Sequence, residues 1–94
     1  MEAKGMKVAR GAVAGSLESS DAMVTVSPGE GLSVLIESVV MKQFGPAIEE
    51  AVRQVLKEQG VEAASVKVQD RGALDCTIRA RVETAIRRAG EVEA

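Results

Sequence analysis

The sequence predicts an α+β domain: a small two-layer sandwich whose mainly antiparallel sheet carries two helices on one face, in the order β-β-β-α-β-α. Three observations lead there. Residues 22–27, 32–39 and 65–70 have strand character, and the second and third alternate apolar with polar side chains. Two longer segments repeat their apolar residues at helical spacing. The apolar content, 46% of 94 residues, is almost all Ala, Val, Leu and Ile, with Phe44 the sole aromatic. That supports one thin core and no more, so residues 1–94 are expected to form a single domain. A sheet with both helices over one face gathers every apolar stripe into that core.

Residues 1–11 mix Lys, Arg, Gly and Ala without sustained periodicity and are expected to be a loose terminus. Residues 12–17, Ala-Val-Ala-Gly-Ser-Leu, read as a short edge strand. Ser19-Ser20-Asp21 supplies turn chemistry, because short polar side chains bond nearby backbone. The strand at 22–27 stops at Pro28-Gly29. In the next strand Leu32, Val34 and Ile36 alternate against Ser33 and Glu37, and the residues between, 27–31, suit a hairpin.

Phe44, Ile48, Ala51, Val52, Val55 and Leu56 then form a continuous helical stripe, with Pro46 in the first turn and Gly60 as the stop. Glu49 and Arg53 stand at attractive i, i+4 spacing on its wet side, while Arg53 and Lys57 repel at the same spacing. A strand follows at 65–70, halted by Gly72. For the last segment two periods compete. Leu74, Cys76 and Ile78 alternate as in a strand, but Leu74, Ile78, Val82, Ala85 and Ile86 make the longer, helical stripe. A helix over about 73–89 is therefore expected, with a strand at its start as the runner-up and a loose tail at 91–94. Asp70 or Asp75 is placed to cap this helix.

Composition excludes much chemistry. There is no histidine, so Ser-His and Cys-His pairs and His-containing zinc sites are ruled out. Cys76, the single cysteine, offers no internal disulfide and is read as a small half-buried core residue. Twelve basic residues against fourteen acidic ones give no excess with which to neutralise nucleic-acid phosphates. No apolar run approaches the roughly 20 residues that span a bilayer, so the expectation is a soluble, cytoplasmic chain without nucleic-acid or membrane partners. Autonomous catalysis would rest on carboxylates, lysines or hydroxyls alone, and no carboxylate cluster suggests a metal.

The remaining distinctive feature is Ala14-Gly15-Ser16-Leu17-Glu18-Ser19-Ser20-Asp21, two adjacent hydroxyls flanked by carboxylates expected to lie in solvent. Taken alone, Ser19 is a turn residue with nothing beside it to activate a nucleophile. With Lys42-Gln43-Phe44-Gly45 and Asp70-Arg71-Gly72-Ala73-Leu74-Asp75-Cys76, however, this block resembles the acyl carrier protein (gamma subunit) of citrate lyase, over about Met6 to Ala89. The common helical acyl carriers of fatty-acid synthesis are different, since their Asp-Ser-Leu triplet is absent.

The resemblance implies that Ser19, which directly follows Leu17-Glu18, is the covalent attachment residue of 2'-(5''-phosphoribosyl)-3'-dephospho-CoA, with Ser20 the competing hydroxyl. A separate prosthetic-group transferase would attach it, so the chain needs no base of its own. The chain would then be a non-catalytic carrier. Its thiol arm would hold acetyl, exchange it for citrate on the alpha subunit, and be returned to acetyl-carrier when the beta subunit releases oxaloacetate. Any magnesium would belong to the lyase subunit. Arg79, Arg81, Arg87 and Arg88 give the last helix a basic character suited to a solvated face, a partner subunit or the coenzyme's phosphates. The 70–76 block suits a structural turn, with a place at an interface or near the arm as the alternative. Ser16 and Ser20 stand where the family motif often has threonine and glycine, and the residues before Met6 are unfamiliar. The carrier of malonate decarboxylase and a small non-carrier interaction domain are the alternatives.

Overall fold

The computed structural model describes residues 5–92. Its elements are β1 (Met6–Val8), β2 (Ala12–Gly15), β3 (Ala22–Ser27), β4 (Leu32–Ser38), α1 (Met41–Glu58), β5 (Ala64–Asp70), α2 (Asp75–Ala89) and β6 (Gly90–Val92). Four strands form a sheet in the order β2-β3-β5-β4, and β1 pairs with β6 in a separate two-stranded ribbon. All neighbouring pairs are antiparallel except β4 with β5. The expected α+β, mainly antiparallel two-layer architecture is what forms.

Alternation decides which face the helices cover. Along β3, Ala22, Val24 and Val26 are buried; along β5, Ala64, Val66 and Val68 are buried. Register aligns Val24 with Val68 and Val26 with Val66, so these side chains share one face. Against that face α1 contributes Val52 and Leu56, and α2 contributes Ile78, Val82 and Ile86, all fully or almost fully buried. Helix α1 ends in a Schellman motif. Gly60 has φ +71, its N–H donates to the Lys57 carbonyl, and the Val61 N–H donates to the Leu56 carbonyl at 2.9 Å. The Glu49–Arg53 pair forms at 2.9 Å.

Four expectations change. The 27–31 segment is not a hairpin turn. β5 lies between β3 and β4, running antiparallel to the first and parallel to the second, and its Ala64 N–H donates to the Gly31 carbonyl at 2.9 Å. The connection therefore spans two strand spacings, about 10 Å, and leaves a slot that the chain fills after α1. A parallel pair needs such a crossover, and α1 supplies it.

Second, neither end is loose where the structure describes it. Met6, Lys7 and Val8 pair with Val92, Glu91 and Gly90. Arg10 also holds the Arg88 carbonyl and the Glu91 carboxylate, both at 3.1 Å. These pairings join residues 78 to 86 positions apart, so no local pattern announces them. Residues 1–4 and 93–94 of the expected loose ends lie outside the described residues.

Third, helix starts displace two apolar residues from the core. α1 begins at Met41, which puts Pro46 beyond the first turn, and Gly45 rather than Phe44 faces inward. Phe44 is 53% exposed, and Leu74, preceding α2, is 71% exposed. Phe44→Ala is accordingly expected to cost less than about 1 kcal/mol, against the roughly 3–5 kcal/mol of a buried phenylalanine. Chemical denaturation beside Ile78→Ala, a true core truncation, distinguishes the two placements. Fourth, Cys76 is exposed rather than half-buried, because the alternation that would have turned it inward is replaced by a helix. No side chain caps α2: Asp75 occupies its first turn and pairs with Arg79 at 2.7 Å.

Candidate functional site

Register fixes one end of the sheet as a meeting point. Ala22, the first residue of β3, lies opposite Asp70, the last of β5, and Asp70 lies beside Ser38, the last of β4. Both helices start just beyond these strand ends, and the β2–β3 connection, residues 16–21, turns over at the same end.

That connection is closely tied. It leaves β2 at Gly15, where φ is +90 and an added Cβ would lie 1.8 Å from the Ala22 carbonyl oxygen, so only glycine allows the strand to end this way. The Asp21 N–H then donates to the Glu18 carbonyl at 3.1 Å, closing a β-turn with Ser19 and Ser20 at its corners. Both serines are exposed. Ser20 has φ +65, the left-handed conformation that glycine normally supplies at the third turn position. Ser20→Gly is expected to stabilise the chain by about 0.5–1 kcal/mol, as relief of strain outweighs added freedom in the unfolded chain. A thermal melt showing a rise of a few degrees checks this.

Asp21 anchors the turn and is not in open solvent as the sequence suggested; its side chain is only 18% exposed. Its carboxylate accepts from the Ser16 hydroxyl at 2.6 Å, from the Arg81 Nε at 2.9 Å and from the Ala22 N–H at 2.7 Å. The Ser16 bond foremost, then Arg81 and the Ala22 N–H, hold this carboxyl well below the usual carboxylate range. It therefore stays ionised through mildly acidic pH, and the anchor persists with it. Ser16, which the sequence marks only as a departure from the family motif, is thus a support of the turn, and the sixty residues between Asp21 and Arg81 hide their pair from any local pattern.

Next to the turn runs the 70–76 block. Ser20 N–H donates to the Arg71 carbonyl at 2.8 Å, and Arg71 N–H donates to the Asp21 carbonyl at 2.9 Å. Asp70, 2% exposed, is the one buried charged residue among those described. Its carboxylate accepts from the Ser38 hydroxyl at 2.7 Å and the Ala73 N–H at 2.9 Å, while Ser38 Oγ accepts from the Val40 N–H at 3.0 Å. Both strand-to-helix connections thus hang on one carboxylate. Asp70 braces the turn before α2 and does not cap the helix itself.

Of the four arginines of α2 considered for an anion, none is free. Arg79 holds Asp75 and Gln54, Arg81 holds Asp21, Arg87 holds Glu83 and Arg88 holds the Val13 carbonyl. Beyond the block, Val40, Phe44, Ile48, Ala73, Leu74 and Ile78 line an apolar groove of about 370 Å³. Among the described residues no cluster of His, Cys, Asp or Glu is arranged to hold a metal, and no helix is long and apolar enough to cross a membrane.

Among the described residues none is bonded to the Ser19 side chain, and Ser19 is exposed. The arrangement suits a hydroxyl offered to another enzyme rather than one that performs chemistry in place.

Comparison with known proteins matches one family model and, under a different name, a set of curated relatives. Residues 9–89 match the family described as malonate decarboxylase delta subunit (MdcD). The citrate lyase acyl carrier protein of Streptococcus mutans is 56% identical over 90 residues, covering 94% of this chain and 88% of the relative. That of Rhodopseudomonas palustris is 53% identical over 85 residues, covering 89% and 88%. In fold, a chain of a Pseudomonas malonate decarboxylase hetero-tetramer in complex with malonate superposes with a TM-score of 0.76 at 22% identity, over 96% of this chain and all of that one.

Proposed function

Because the chain belongs to the citrate lyase acyl carrier protein family, we propose that it is the carrier subunit of a citrate lyase complex, with Ser19 as the attachment residue of its prosthetic group. The group is 2'-(5''-phosphoribosyl)-3'-dephospho-CoA, joined through a phosphodiester. The observation that carries this reading is the exposed corner of the 18–21 turn, where Ser19 protrudes from a frame locked by Asp21.

This chain's residues do three things. Gly15 and the Ser16–Asp21–Arg81 cluster hold the corner in one conformation, so a transferase meets a preformed loop and little ordering remains at docking. The absence of a nearby base leaves Ser19 unreactive until that transferase supplies activation. The rigid end of the sheet then fixes the root of a long arm, raising its effective concentration at successive partner sites. When attached, the arm supplies the thiol on which acetyl and citryl groups travel between the alpha (acyl transferase) and beta (citryl lyase) subunits. The chain itself performs no catalysis, and the complex works in the cytoplasm.

The carrier of malonate decarboxylase is the second reading, favoured by the family model matched over residues 9–89 and by the shared fold, whereas the much higher identity to citrate lyase carriers favours the first. Reconstitution separates them. Alpha and beta subunits lacking a carrier should regain citrate cleavage when given the transferase-loaded chain with its thiol chemically acetylated, and none with the unloaded chain given the same treatment. Restoration of malonate decarboxylase instead would reverse the order.

A further inference from the structure

Arg71 stands apart from the other arginines. Arg10, Arg53, Arg79, Arg81 and Arg87 pair with carboxylates, and Arg88 donates to a carbonyl. Among the described residues, Arg71 is the one arginine whose guanidinium has neither kind of partner, and it is exposed. Its position is nevertheless fixed, because its main chain is bonded both ways to the turn that carries Ser19. It borders a hollow of about 210 Å³ with Ser38, Val39 and Glu37, and Glu37 is already engaged by Lys67 at 3.7 Å.

An unpaired guanidinium, on a residue whose main chain is bonded to the attachment turn, is what a phosphodiester needs. Its planar fork meets two phosphate oxygens at once, which a lysine does not reproduce. We propose that Arg71 binds the phosphate that links Ser19 to the prosthetic group, holding the root of the arm against the end of the sheet. This rests on Ser19 being the attachment residue. Arg71 acts as a binding and positioning residue; it takes no part in the attachment chemistry. The arginines of α2, which sequence reasoning offered for the coenzyme's phosphates, are spent on the fold, and Arg71 takes that place.

The test uses the full chain loaded by its cognate transferase, with loading verified by intact mass, in wild type, Arg71→Lys and Arg71→Ala. Guanidinium Nε–H correlations and the ³¹P signal of the phosphodiester are compared between loaded and unloaded protein. The expected result is that the Arg71 Nε–H shifts on loading more than that of any other arginine. The phosphodiester signal should move in loaded Arg71→Ala, with Arg71→Lys between. High salt should carry wild type toward the alanine variant, as screening weakens an exposed pair. An unchanged Arg71 resonance, with the same ³¹P signal in wild type and Arg71→Ala at full loading, would overturn the proposal and leave the carrier reading intact. Slower loading of Arg71→Ala with no spectral difference would also overturn it, assigning Arg71 to the transferase contact. No mass gain in wild type, with the transferase active on a known carrier, would overturn both.

Discussion

A citrate lyase complex reconstituted with Ser19→Ala carrier is expected to show no citrate cleavage above background, and the variant to gain no mass from the transferase. The loss should be complete rather than graded. A tethered arm presents its thiol at millimolar effective concentration, and without the tether that advantage vanishes outright. The substitution removes one exposed hydroxyl from a turn held by main-chain bonds and by Asp21, so folding should be unaffected. Ser20→Gly is the decisive companion. It deletes the competing hydroxyl while easing the left-handed corner, and should load and turn over like wild type. Activity in Ser19→Ala that disappears in Ser20→Gly would move the attachment by one residue. Circular dichroism of both variants excludes unfolding as the cause.

The largest effect on stability is expected at Asp70. Asp70→Ala should destabilise by about 2–4 kcal/mol, or roughly 10–20 °C in Tm for a domain of this size. Its carboxylate receives the Ser38 hydroxyl and the Ala73 N–H in a buried setting, and Ser38 in turn holds the Val40 N–H. Alanine leaves two donors without their acceptor and loosens the start of both helices together. Asp70→Asn should cost distinctly less. Its carbonyl oxygen still accepts from Ala73, and its amide donates to Ser38 Oγ, which has a lone pair to spare. Urea denaturation of the three proteins measures the order; equal losses for Ala and Asn would mean that charge, rather than hydrogen bonding, is what the site requires.

Asp70 also shows where sequence reading works and where it stops. Strand alternation places it on the same face as Ala64, Val66 and Val68, so its burial is legible from β5 alone. What receives it is not, because Ser38 lies thirty-two residues away. The same divide runs through the fold. Helix α1 from Ile48 onward, the Gly60 stop and the strands β3, β4 and β5 follow from local period and turn residues. The placement of β5 between β3 and β4 does not, since a proline-glycine segment between two strands looks the same whether they pair or leave a slot. Phe44 and Leu74 fit helical stripes by spacing, yet each sits where its helix begins and overhangs the sheet end. At the site, family resemblance singled out Ser19, but its frame was invisible. Asp21 beside two serines reads as a solvated turn until the fold brings Arg81 against it.

The measurement that tests the carrier assignment most directly is tandem mass spectrometry of the chain co-expressed with its transferase and the enzyme that makes the precursor. The predicted result is a gain matching phosphoribosyl-dephospho-CoA, with fragment ions that place it on Ser19. A gain on Ser20 would contradict the site, and no gain, with the same transferase loading a known carrier, would contradict the function.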